Sequence, residues 1–239
     1  MPPHWGLLGT VAWGIVVGAV FVLLQIGTVV ALAQLPAHGA SADDVARFFE
    51  SASGDGTLFS LATFATTAVC VPLVLGIVKL KRGARIREYL ALEPIAARSA
   101  LRWFGALALA LLASDLLTVA LGRLIVPPVM AALYATANPV WLFWVALVVA
   151  APLFEEVFFR GFLFKGLGSS VLGTAGTILV TAAVWALIHL QYDAYGIATV
   201  FVIGLLLGAA RAWGGTLLLP LGMHSVANLA AAVETALLA

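Results

Sequence analysis

Two adjacent carboxylates, Glu155 and Glu156, stand inside the apolar run AlaProLeuPheGluGluValPhePheArgGly at 151–161. Charges in such a run are costly unless paired or put to use. On a helix, successive residues lie about 100° apart, so the two glutamates cannot share one face. Glu156 and Arg160 are at i and i+4, where a carboxylate and a guanidinium can pair. Glu155 points elsewhere. A carboxylate beside an ion pair, but itself unengaged, is what general-base chemistry in a dry site requires. The structural alternative is a network of these charges that locks the helix against its neighbours.

Few other polar groups interrupt the apolar segments. His189 stands near the end of one, His224 and Asn228 in the last, and Asp115 in the middle of a third. Trp185 and His189 are at i and i+4, as are His224 and Asn228, so each pair presents one helix face to whatever lies opposite. The three segments are expected to converge on one polar pocket. Counted along straight helices, Glu155, His189 and His224 stand roughly 17, 24 and 13 Å above their turns, so tilt and staggered starts must bring them level. The alternative for His224 and Asn228 is interhelical hydrogen bonding, and for His189 a headgroup contact. Asp115 fits no motif and is read as a polar contact within the bundle. His4 and His38 lie in the N-terminal stretch and a loop.

The elements that must position these groups follow from composition. The 239 residues are 63% hydrophobic and 10% charged, with a mean hydropathy of +1.12, whereas soluble domains carry roughly 25% charged residues. The expectation is an all-α, polytopic transmembrane bundle of about seven spans. A net charge of +1 with cations spread along loops excludes nucleic acid as a partner. Cys70, the single cysteine, can form no internal disulfide.

Spans are expected at about 7–33, 57–78, 103–122, 140–166, 173–190, 195–211 and 216–237. The first is too long for a cleaved signal segment and is read as retained. An acidic loop with a short helix at 42–52 separates the first two. Pro127, Pro128 and Pro139 make 123–139 a loop or interfacial helix. Turns are expected at 166–170, 193–196 and 213–215. No repeat or linker interrupts the chain, which is read as one integral-membrane domain, 1–239.

Lys79, Lys81, Arg82, Arg85, Arg87, Arg98, Arg102, Arg160, Lys165 and Arg211 fall on one side of a seven-span scheme, and only Arg47 and Arg123 on the other. Cations are retained on the cytoplasmic side, so the N-terminus is placed in the cytoplasm and the protein in the cell membrane. The cation-rich loop at 79–102 is a topology signal and a contact for anionic lipid.

GluGluValPhePheArgGly resembles the EExxxR signature of the CPBP family, the intramembrane proteases typified by the CAAX prenyl endopeptidase and including bacterial proteins of bacteriocin processing or self-immunity. TrpAlaLeuIleHis at 185–189 is similar to its second motif, FxxxH, and HisSerValAlaAsn at 224–228 to its third, HxxxN. The resemblance covers a motif-bearing core at 140–232 and includes GlyLeuLeuLeuGlyAlaAlaArg at 204–211, with a weaker echo at 89–94. Trp185 stands where the pattern has phenylalanine, and packing rather than chemistry is expected to differ there.

The resemblance implies hydrolysis of a peptide bond in a membrane-associated peptide or protein, including the prenylated CAAX type, by a glutamate-activated water. It makes Glu155 the general base and His189 the residue that orients the water. His224 and Asn228 would hold the oxyanion, and Glu156 and Arg160, with Trp185, would support the base. The family has also been described as metal-dependent, and Glu155, His189 and His224 are a conceivable zinc set. No HExxH helix is present, no metal is assigned, and zinc stays an alternative. A non-catalytic scaffold or self-immunity protein of the same fold is the alternative function. A transporter is disfavoured because no inverted repeat is evident.

Overall fold

The computed structural model describes residues 3–32 and 41–238, so His38 and most of its loop lie outside the described residues. Helices account for all regular structure in the described residues. They are α1 (Leu7–Leu32), α2 (Ala42–Ser53), α3 (Gly56–Leu80), α4 (Ile86–Leu90), α5 (Ala97–Ala120) and α6 (Pro128–Thr136). There follow α7 (Val140–Gly168), α8 (Gly173–Leu187), α9 (Ala194–Gly214) and α10 (Leu218–Leu238). Six of them, α1, α3, α5, α7, α9 and α10, are long and apolar enough to cross a membrane. The chain is a polytopic helical bundle.

Short polar side chains start several of these helices. Ser41 and Asp44 form a capping box at α2, and Asp55 accepts from Thr57 N and Leu58 N at the head of α3. Asp193 accepts from Gly196 N at the head of α9. The turn expected at 193–196 is therefore that cap together with the first residues of α9. The short helix expected near 42–52 is α2, and the proline-rich stretch holds α6, entered through Pro127 and Pro128.

The segment expected as a span at 173–190 stops at Leu187, with Ile188 as its cap. At 15 residues, α8 is about 22 Å long, short of a hydrocarbon layer of about 30 Å. Nothing in AlaLeuIleHisLeu marks this stop, since it holds neither glycine nor proline. Arg123, just past the end of α5, bonds Asp193 at the head of α9, so the loop that follows α8 stands beside the end of α5.

An aromatic ladder at i, i+4 and i+8 organises the core. Phe154, Phe158 and Phe162 of α7 stack in series, extended by Phe21 of α1 at one end and Tyr89 of α4 at the other. The cation-rich loop thus does more than mark topology, because Tyr89 and Leu90 are fully buried. The loop also ties down the start of α10, as Leu217 N donates to Ala91 O and Thr216 Oγ1 to Glu93 O. Of the ten cations assigned to one face by sequence, Arg160 and Arg211 are buried among helices rather than at an interface. Their side chains bond to carbonyls inside the bundle, which leaves eight cations against two.

Close helix approaches depend on small residues. Gly204 and Gly208 face α8, where an added Cβ would meet Trp185 Cε3 at 2.9 Å and Ile178 Cγ2 at 3.0 Å. Gly166 lies so close to Thr10 of α1 that a Cβ there would overlap its side chain.

Candidate active site

Helix α7 carries the glutamates and is not a uniform α-helix. Residues Ala146–Ala150 and Val157–Leu163 are π-helical, with i→i+5 bonding. Ala151 N donates to Ala146 O. Leu147 O would then be served by the N–H of residue 152, but that residue is proline and has none. Asn228 of α10 fills the gap, donating Nδ2–H to Leu147 O at 2.8 Å. Thr67 of α3 likewise donates to Ala150 O at 2.9 Å. The widened turns before the glutamates are satisfied from two neighbouring helices.

Glu156 is fully buried, and so is Arg160. Arg160 donates Nη1–H to Glu156 Oε1 at 3.0 Å and Nη2–H to Gly204 O of α9 at 3.1 Å. Its guanidinium lies 4.7 Å from the centre of the Trp185 ring, a cation–π contact shielded from water. Arg211 of α9 in turn donates Nε–H to Arg160 O at 2.9 Å. The pairing of Glu156 with Arg160 expected from their spacing is present. Glu156 has a second partner that the spacing did not announce: His224 Nδ1 lies 2.9 Å from Oε1, and because a carboxylate only accepts, Nδ1 carries the proton.

That bond turns the other face of the His224 ring to Glu155, with Nε2 3.9 Å from Glu155 Oε2. The Glu155 side chain keeps 17% of its surface exposed, whereas its neighbour keeps none. Trp185 Nε1–H of α8 donates to the same Oε2. Among the described residues no donor reaches Oε1 of Glu155. The Trp185 ring also packs edge-to-face on both histidines, 5.1 Å from each of His189 and His224.

His189 lies beyond the end of α8, and its Nδ1–H donates back to Trp185 O at 2.7 Å. This turn brings the histidine, whose helical depth was the greatest of the three, down against the indole. Tyr192 stacks on His189 at 6.1 Å and packs beside Phe143 of α7. Crowding by protein, with the negative field of Glu155 adding to it, pushes the Tyr192 hydroxyl up to about 12.

Glu155, Glu156, Arg160, Trp185 and His224 therefore form one contact cluster, and His189 joins it through Trp185. Asn228, one turn from His224 on α10, bonds to the α7 backbone. Asp115 is remote in contact terms and lies in the field of Glu234 on α10. Tyr192 and Glu234 escaped the sequence reading, Tyr192 because nothing marks a loop tyrosine and Glu234 because it sits near the end of its span. Trp185 corrects the expectation of packing alone, because its N–H bonds to Glu155.

Among the described residues, no three His, Cys, Asp or Glu side chains gather into a metal-holding group. Of Glu155, His189 and His224, only Glu155 and His224 approach within 4 Å of each other among the described residues. As placed among the described residues, the donor set does not fit a three-ligand zinc site.

In comparison with known proteins, residues 136–230 match the family model described as type II CAAX prenyl endopeptidase Rce1-like. The match spans α7 to α10 and all three motifs. No curated protein and no solved structure matches the chain.

Proposed function

We propose, from the match of residues 136–230 to the Rce1-like CAAX endopeptidase model and from the three motifs, that the chain is a CPBP-type intramembrane endopeptidase working by glutamate-activated water. The observation that carries this reading is the pair of adjacent carboxylates with opposite surroundings. Glu156 is buried and bonded to Arg160 and His224, while Glu155 is partly exposed with one oxygen uncommitted. Environment divides structural from reactive carboxylate, which is how acid–base roles are set apart in other hydrolases.

In this reading Glu155 Oε1 accepts a proton from water as the water oxygen bonds to the substrate carbonyl carbon. The carbonyl π pair moves onto oxygen. His224, its Nδ1–H held by Glu156, turns Nε2 toward that oxyanion and donates to it when that nitrogen carries a proton. Asn228 keeps a second amide N–H beyond the one given to Leu147 O and is the other donor. One such donor is typically worth about 2.7–4 kcal/mol in the transition state. Collapse breaks the C–N bond, and Glu155 returns its proton to the leaving amine. His189 holds the water through Nε2, its Nδ1–H being used on Trp185 O.

The substrate is a membrane-associated peptide or protein, with a prenylated CAAX-type tail the chemical class the family favours. The protein lies in the cell membrane with its N-terminus in the cytoplasm. The eight remaining surface cations on one face support this orientation. Purified protein in detergent, given a quenched peptide library with and without Glu155→Gln, tests the enzyme. Hydrolysis lost in the variant supports it, and equal hydrolysis by both removes it, leaving a peptide-binding bundle. Orientation is tested with impermeant maleimide on Arg82→Cys and Ser53→Cys, since the native Cys70 is buried. Labelling of the first from the cell exterior would invert the assignment.

A further inference from the structure

The Glu155 carboxylate has two oxygens, and a general base needs one of them facing the water. What decides which one is the environment of Oε2. Trp185 Nε1–H donates to it, and His224 Nε2 approaches it at 3.9 Å. Trp185 is itself held on every side. Its ring is buried, stacked under the Arg160 guanidinium at 4.7 Å, and set edge-on to His189 and His224. Gly204 of α9 leaves the space the ring edge occupies, since a Cβ there would lie 2.9 Å from Trp185 Cε3. Trp185 also accepts His189 Nδ1–H on its backbone carbonyl.

One residue therefore touches both groups that must face a common water, Glu155 through its indole N–H and His189 through its carbonyl. A phenylalanine at 185 would keep the carbonyl and an aromatic ring, and would lose the N–H together with the second ring. We propose that Trp185 is a positioning residue: its N–H anchors Glu155 Oε2, fixes the carboxylate rotation, and leaves Oε1 as the oxygen that takes the proton from water. This rests on the hydrolase reading above. It goes further by assigning the base to one atom and its orientation to a donor that phenylalanine cannot supply.

A hydrogen bond to a charged group is a strong one, and loss of orientation acts on the chemical step rather than on substrate capture. Trp185→Phe is therefore expected to lower kcat roughly tenfold to a hundredfold and to leave KM within about twofold. A purely structural role would predict no such division.

The second measurement does not depend on the activity of that variant and uses it, folded, only to assign one signal. Protein labelled with 5-fluorotryptophan shows seven tryptophan signals by ¹⁹F NMR, and the one missing in Trp185→Phe is Trp185. In Glu155→Gln that signal is expected to move more than the other six, because its charged acceptor becomes a neutral amide. An unmoved signal beside an active native enzyme, or a loss confined to KM, would overturn the role of Trp185 alone. Absence of hydrolysis by the native protein would overturn the hydrolase reading and this role together.

Discussion

His224 Nδ1 and Glu156 Oε1 are 2.9 Å apart, across two helices separated by 68 positions in sequence. The carboxylate that the i, i+4 pattern assigned to Arg160 is thus also the group that orients the site histidine. Carboxylate–histidine pairs of this kind fix both ring orientation and tautomer. Glu156 therefore touches the candidate site through His224 and not through its neighbour Glu155.

A first prediction separates stability from activity at this pair. Glu156→Leu leaves the Arg160 guanidinium buried without its counter-charge, and removing one partner of a buried pair costs about 3–5 kcal/mol. The pair is also incompletely satisfied, since Glu156 Oε2 and Arg160 Nε are buried without a protein hydrogen bond. Replacing both with leucine should therefore restore most of the lost stability, as apolar substitutes for buried ion pairs often do. Activity should not return, because His224 has still lost the group that orients it. Thermal unfolding in detergent and peptide hydrolysis, measured on both single variants and the double, check the two halves. Recovery of hydrolysis in the double variant would refute the role given to Glu156.

Much of this arrangement is legible in the residues themselves. The Glu156–Arg160 pair, the proline-entered helix α6 and the apolar helices follow from spacing, proline positions and hydropathy, which act locally. The contacts that assemble the site are not local. His224 meets Glu156 on a helix, α10, whose start is tied to the chain just after α4 by Leu217 N on Ala91 O. His189 reaches the cluster because α8 stops two residues earlier and the chain turns back, and no residue type marks that stop. The Trp185 N–H was visible as a donor, but its acceptor lies on another helix. Pattern reveals which groups are expensive to bury, whereas packing decides which of them meet.

The close approach of α7 to α1 gives a second prediction. Gly166→Ala places a Cβ into the side chain of Thr10, and crowding of this kind typically costs 1–3 kcal/mol. Thr10→Gly in the same chain removes the obstructing atoms and should recover most of that loss. The unfolding free energies of the four proteins in this cycle give the coupling. Additive effects would mean that α1 and α7 do not touch at this point.

A third prediction concerns pH outside the spans. Asp193 is held below its ordinary value near 3.8, first by the Gly196 backbone N–H and then by the Arg123 guanidinium. A folded value below the unfolded one means that this contribution is fully present above about pH 4. It is lost as pH falls through the folded value. Native protein should accordingly lose thermal stability on going from pH 5 to pH 3, and Asp193→Asn, which keeps the cap but cannot titrate, should lose less. Asp44, depressed by its bonds to Ser41, retains some acid sensitivity in the variant. Identical melting shifts in the two proteins would show that the α9 cap does not contribute.

The last prediction distinguishes the two duties of Asn228. Its amide serves Leu147 O only because Pro152 has no N–H to offer, so Pro152→Ala should supply the missing donor from within α7. In the native background Asn228→Ala should cost about 0.6–1.7 kcal/mol, the range for interhelical hydrogen bonds in membranes. In the Pro152→Ala background the cost should fall toward zero, a coupling that unfolding measurements on the four proteins would show directly. Activity follows a different course if the second amide N–H holds the oxyanion. Hydrolysis should then be lost on removing Asn228 in both backgrounds, by roughly a hundredfold or more for one oxyanion donor. Recovery of hydrolysis when Pro152 and Asn228 are both alanine would reduce Asn228 to a brace for the π-helical turn and leave His224 as the single donor to the oxyanion.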